Sequence, residues 1–140
     1  MSINPKFIIV SDVMLSNDKF PIMSNDNLVS ETLRNMSKYS LGIACIINNQ
    51  NELLAVFTDG DIRRTLLNSH KPIGSFFMDD VMDYATKNVK FVHPSQTLKE
   101  AVEMMGRDKI WDLPVVDSKN HLLGLLHLHP ALEAVLQQGY

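Results

Sequence analysis

A chain of 140 residues with 45% hydrophobic and 21% charged residues has the make-up of an ordinary globular protein, enough for one domain or two very small ones. Its net charge of −3 offers no basic surface for nonspecific nucleic-acid binding, and no run approaches the roughly 20 apolar residues that span a bilayer. Cys45 is the only cysteine, which excludes an internal disulfide and a cysteine-based zinc cluster.

Met1-Ser2-Ile3-Asn4-Pro5-Lys6 lacks the charged start and long apolar core of a signal peptide, so a cytoplasmic protein is the default expectation. Phe7-Ile8-Ile9-Val10 is short and apolar, and Ser11-Asp12-Val13-Met14 reads as a capped helical turn. Phe20-Pro21-Ile22-Met23 reads as a short strand. Asn25, Asp26 and Asn27 supply caps for a helix with Leu28, Thr32, Leu33 and Met36 on one face. Residues 43–47 and 53–57 read as paired strands joined by the polar turn Asn48-Asn49-Gln50-Asn51, and a helix over about 59–68 follows.

From Met78 the programme repeats. Asp79-Asp80-Val81-Met82 gives the helical turn, Lys90-Phe91-Val92 the short strand, and Leu98, Ala101, Val102 and Met105 the amphipathic helix. Leu113-Pro114-Val115-Val116 and residues 122–126 give the paired strands, and Pro130 suits the first turn of a last helix running to about Gln138. A shift of sixty-nine positions lays Glu31 on Glu100, Met36 on Met105, Asn51 on Asn120, and Leu53-Leu54 on Leu122-Leu123. The expected fold is α+β, an α/β sandwich: one module over 1–140 built of two pseudo-symmetric β-α-β-β-α units, 10–70 and 78–138. Residues 69–77, broken by Pro72 and Gly74, form the linker.

The chemistry concentrates in Leu53-Leu54-Ala55-Val56-Phe57-Thr58-Asp59-Gly60-Asp61-Ile62-Arg63-Arg64. Thr58 and Asp61 have capping-box spacing, and they also set a hydroxyl and a carboxylate at the open end of a strand, where ligands often bind. Asp59-Gly60-Asp61 resembles a metal-binding Asp-x-Asp, but this chain has no room for a transferase fold. His127 and His129 share a face if the strand continues through them, without an evident third metal ligand. Cys45 lies in an apolar run and reads as a packed thiol, Trp111 as core or interface packing, and the methionines as gap-filling. No nucleophile–base pair, metal cluster or Gly-rich phosphate loop supports catalysis within the chain.

The Val-Met pairs at Val13-Met14 and Val81-Met82, the Leu113-Pro114-Val115-Val116-Asp117 strand, and the Thr-x-x-Asp after Leu53-Leu54 resemble a tandem pair of cystathionine-β-synthase-type (CBS) domains, a Bateman module. Phe57 to Arg64, with Gly124 to His129, narrows the likeness to the C-terminal CBS pair of the KpsF/GutQ-type arabinose 5-phosphate isomerases, which make a precursor of the lipopolysaccharide sugar Kdo. The isomerase domain of that family has no counterpart here.

The resemblance implies a regulatory binding module, with no catalytic residues and no required cofactor. Its ligand would be an adenine or cytidine nucleotide or a nucleotide sugar. It implies that Asp61 accepts from ribose hydroxyls, that Thr58 approaches phosphate, and that Arg63 or Arg64 neutralises phosphate. Ile22, Met23, Ala44, Cys45 and Phe57 would wall the base. In the second unit His127 stands for Thr58 and Pro130 for Asp61, so that site, with His127 and His129, is expected to be degenerate. The implied partners are a second copy, through CBS–CBS packing, and a sugar-isomerase domain. The rival reading is an assembly module with vestigial ligand sites.

Overall fold

The computed structural model describes residues 8–137. Met1 to Lys6, Phe7 of the first apolar run, and Gln138 at the expected helix end lie outside them. The chain forms two compact units, one of Asp18–Val89 and one that joins residues through Asn17 with those from Lys90 onward.

In the contiguous unit, β1 (Ile22–Ser24) runs parallel to β2 (Ile43–Ile47), which pairs antiparallel with β3 (Leu53–Thr58). The hairpin turn is set by Asn48, whose side-chain oxygen accepts from the amides of Gln50 and Glu52, and by Asn51 at φ 62°. Helix α1 (Val29–Tyr39) buries Val29, Thr32 and Met36, with Leu33 packed against the same core. Leu28 is not on that face but at the N-cap. Its amide is taken by the Glu31 carboxylate at 2.7 Å, and Asn27 instead accepts from Ser24 N, so none of Asn25, Asp26 or Asn27 caps the helix. Helix α2 (Asp59–Asn68) follows β3 directly.

The linker is not irregular throughout. Pro72 at φ −58° opens α3 (Ile73–Met78), which buries Phe76 against Val81 and the edge of the Tyr84 ring. The turn Val81–Asp83 follows, and Thr86 then exchanges both backbone hydrogen bonds with Val56 on the outer edge of β3.

The other unit carries α4 (Leu98–Asp108), the antiparallel pair β4 (Asp112–Val116) and β5 (Leu122–His127), and α5 (Leu128–Gln137). Lys90-Phe91-Val92 contributes a single parallel bridge, Val92 to Val115, rather than a strand, and Phe91 is exposed. Val10–Asp12 forms the leading turn, and Leu15 exchanges both backbone hydrogen bonds with Leu125 as Thr86 does with Val56. The two turns therefore match as Val10–Asp12 with Val81–Asp83, and Val13-Met14 lies just beyond its turn. Leu98, Ala101, Met105, Leu113, Val115 and Leu126 form the core. Trp111 is 70% exposed and does not pack into it.

The repeat is legible in the backbone. Among the described residues, the four non-glycine positions with positive φ fall into two pairs sixty-nine positions apart: Ser40 with Lys109 at the ends of α1 and α4, and Asn51 with Asn120 in the hairpin turns.

Candidate functional site

Thr58 is the last residue of β3 and the N-cap of α2, with the extended backbone a cap requires (φ −127°, ψ 165°). Its hydroxyl lies 3.2 Å from the Asp61 amide, and its own amide donates to Asp61 Oδ2 at 2.9 Å. The capping box is formed as its spacing predicts. The Thr58 hydroxyl also lies 3.1 Å from Oδ2.

Asp61 is more than a cap. Its side chain is 6% exposed, and Oδ1 accepts from Arg64 Nη2 at 2.8 Å and from the Thr86 hydroxyl at 2.7 Å. A carboxylate offers about four lone-pair directions, and neighbours occupy all of them here. Burial of a carboxylate demands this, because an unpaired buried charge is costly. Both arginines are exposed, and Arg64, one turn along α2, is the one that meets Asp61. Gly60 leaves room for this, since a β-carbon there would lie 3.1 Å from the Arg64 guanidinium.

The five wall residues do not share a face. Met23, Ala44 and Phe57 point into the core beneath α1 and α3. Ile22 and Cys45 are register partners one step out of phase with them, so they occupy the opposite face, alongside Val56. A shallow depression at the end of α1, lined by Met36, Ser37, Gly42 and Asp59 among others, includes none of the five.

In the other unit every part of this constellation is replaced. His127 stands at the Thr58 position, its Nδ1 2.7 Å from Oδ1 of the nearly buried Asp112. Pro130 replaces Asp61 as the third residue of α5, and Leu15 replaces Thr86. β5 ends at His127, and His129 pairs with Glu133 at 3.2 Å on the surface. The two imidazoles therefore turn to separate carboxylates and do not converge.

Residues 81–135 match the CBS domain family. An uncharacterized protein of Helicobacter pylori is 37% identical over 132 residues, 94% of this chain and 38% of that protein. The arabinose 5-phosphate isomerase KdsD of Francisella tularensis is 29% identical over 132 residues, 91% of this chain and 38% of that enzyme. The chain thus spans less than two-fifths of the length of these curated relatives. Among solved structures, the CBS-pair protein CBSX2 of Arabidopsis thaliana, determined in complex with AMP, superposes with a TM-score of 0.80 at 24% identity, covering 93% of this chain and 97% of that one. The chain has the mixed α+β fold of the CBS-pair structures, and its residues 81–135 match the CBS domain family.

Proposed function

We propose that this chain is a regulatory ligand-binding module that senses an adenine or cytidine nucleotide or a nucleotide sugar. In this reading it has no catalysis of its own, acts in the cytoplasm, and serves as the regulatory part, or a relative of the regulatory part, of a sugar-phosphate isomerase. The observation that carries the reading is Asp61: a buried carboxylate set beside the Thr58 hydroxyl at a helix N-terminus, where an acceptor for ribose hydroxyls and a donor field for phosphate adjoin. The AMP bound by CBSX2, a protein of similar fold, supports an adenine nucleotide. The likeness to KdsD supports the isomerase connection.

Asp61 holds ribose, Thr58 approaches phosphate, and Arg63 or Arg64 neutralises it. Of the proposed base walls, Ile22 and Cys45 stand on the sheet face away from the helices, whereas Met23, Ala44 and Phe57 are spent in the core. With Pro130 in place of Asp61, one nucleotide binds per chain. AMP at a hundred times its Kd adds about 2.7 kcal/mol to stability, read as a raised melting temperature. Asp61→Ala abolishes that rise, measured against its own unliganded melt. Calorimetry showing two equal AMP sites per chain, or an undiminished rise in Asp61→Ala, overturns the reading.

A second reading, an assembly module with vestigial sites, is favoured by exposed leucines on the last helix of each unit, Leu66 and Leu67 on α2 and Leu132 and Leu136 on α5, of which Leu67 and Leu136 stand sixty-nine positions apart. Self-association through these helices, with no thermal response to AMP, CMP or a CMP-sugar, is its signature.

A further inference from the structure

Thr86 lies twenty-five positions from Asp61, in a segment outside the Thr-x-x-Asp motif, yet its hydroxyl makes a shorter hydrogen bond to that carboxylate than Arg64 or Thr58 does. Its place is fixed by the paired backbone bonds with Val56, 2.8 and 3.0 Å, which hold residue 86 along β3. Thr86 and Arg64 both converge on Oδ1, while Oδ2 is engaged by the Thr58 amide and hydroxyl of the capping box.

We propose that Thr86 and Arg64 are an internal stand-in for the ligand's vicinal diol, so that nucleotide binds at Asp61 by exchange rather than by filling a vacant acceptor. This rests on the assignment of Asp61 to ribose. Oδ2 stays with the helix cap, and Oδ1 is the exchangeable atom. An arriving hydroxyl donates to Oδ1 only where Thr86 Oγ1 or Arg64 Nη2 now donates. The Thr86 hydroxyl leaves by rotation about χ1 without moving its backbone. Arg64, with 57% of its side chain exposed, swings free, and its guanidinium becomes available to the phosphate of the same ligand. The unliganded protein thereby keeps its buried carboxylate satisfied, and the affinity for nucleotide is lowered by the bonds that must be surrendered. Thr86 is in this sense a positioning residue that sets affinity through Asp61.

The consequence is opposite in sign to that of an ordinary contact residue. Calorimetry of the full chain with AMP is expected to show tighter binding by Thr86→Val, by about five- to tenfold, since one charge-assisted competitor has gone. Thr86→Ser, which keeps the hydroxyl, should bind as the parent does. Deoxy-AMP, which lacks the diol, should bind more weakly than AMP and gain less from Thr86→Val. If the parent binds AMP and Thr86→Val binds it equally or more weakly, the exchange is wrong while the ribose assignment at Asp61 stands. An equal gain for AMP and deoxy-AMP likewise overturns the exchange. Parent and Thr86→Val both folded and both silent to AMP would overturn the exchange and the ribose assignment together.

Discussion

Gly124 sits where the chain leaves no space for a side chain. A β-carbon there would lie 2.7 Å from the carbonyl oxygen of Leu15 and 2.7 Å from the Met14 sulfur. The sulfur can move, but the carbonyl belongs to the backbone bridge between Leu15 and Leu125. Gly124→Ala is therefore expected to destabilise the protein by about 1–3 kcal/mol in denaturant unfolding, the usual range for overpacking. Unchanged stability would mean that the Leu15 bridge yields at no cost.

The same contrast between near and far contacts explains which site residues sequence alone discloses. Thr58 and Asp61 meet within one helical turn, so their spacing announces their contact. Arg64 is also readable, since an acid and a base three positions apart on a helix are neighbours, and that spacing favours it over Arg63. Thr86 reaches Asp61 only because a backbone bridge brings it to β3, and no local pattern encodes that. The proposed base walls divide between two faces for another reason. The first four residues of β2, Ile43 to Ile46, are all buried, so its apolar run carries no alternation from which to read a face.

Among the elements, α3 shows how a breaker misleads. Pro72 and Gly74 suggest a structureless linker, but a proline at a helix start sacrifices no hydrogen bond, and Phe76 supplies the burial that anchors the turn. The segment is fastened at the surface as well. Asp79 accepts from the Tyr84 hydroxyl and from Lys71 Nζ at 3.2 Å. The Tyr84 hydrogen bond, then the Lys71 bond, holds the Asp79 carboxyl below the ordinary carboxylate range. A lowered folded-state pKa contributes stability that is present above the unfolded carboxylate's range and lost as pH falls through the folded value. Tyr84 is pushed up, first by its bond to Asp79 and then by burial, and Lys71 is pushed up by the same carboxylate. Their contributions are present below the ordinary phenol and ammonium ranges and lost as pH rises through the raised values. Thermal melts of the parent and Asp79→Asn should differ most at neutral pH and converge as pH drops below the carboxylate range. A gap that persists into strong acid would assign the effect of Asp79→Asn to something other than its charge.

Across the whole molecule, repetition of form and repetition of chemistry part company. The paired left-handed residues and the matched hairpins show the second half rebuilding the first in backbone. Thr58, Asp61, Arg64 and Thr86 meanwhile give way to His127, Pro130, Glu133 and Leu15. A helix start needs neither the threonine nor the aspartate, as α5 demonstrates. The sixty-nine-residue repeat disclosed the hairpins and main helices because each is encoded by local periodicity. It disclosed less of how the short leading turns are shared out, since their partners are remote in sequence.

That sharing predicts an order of events as the chain acquires its structure. Everything the unit of Asp18–Val89 requires is contiguous, and its β2–β3 pairing closes a short hairpin loop. The other unit must bring Leu15 to Leu125 and Val10 to Gln96, contacts whose closure entropy grows with the intervening chain and which cannot exist until the later residues have been made. Val10 is fully buried once those contacts have formed. In pulsed hydrogen exchange during refolding, the amides of Cys45 and Val56 should gain protection before those of Val10 and Leu125. Simultaneous protection would mean that the two units form as one cooperative step. If the order holds, a vectorially synthesised chain completes its Asp61 half first, while Val10 and Leu15 still await Gln96 and Leu125 and stay open to any chaperone or neighbouring chain that meets them.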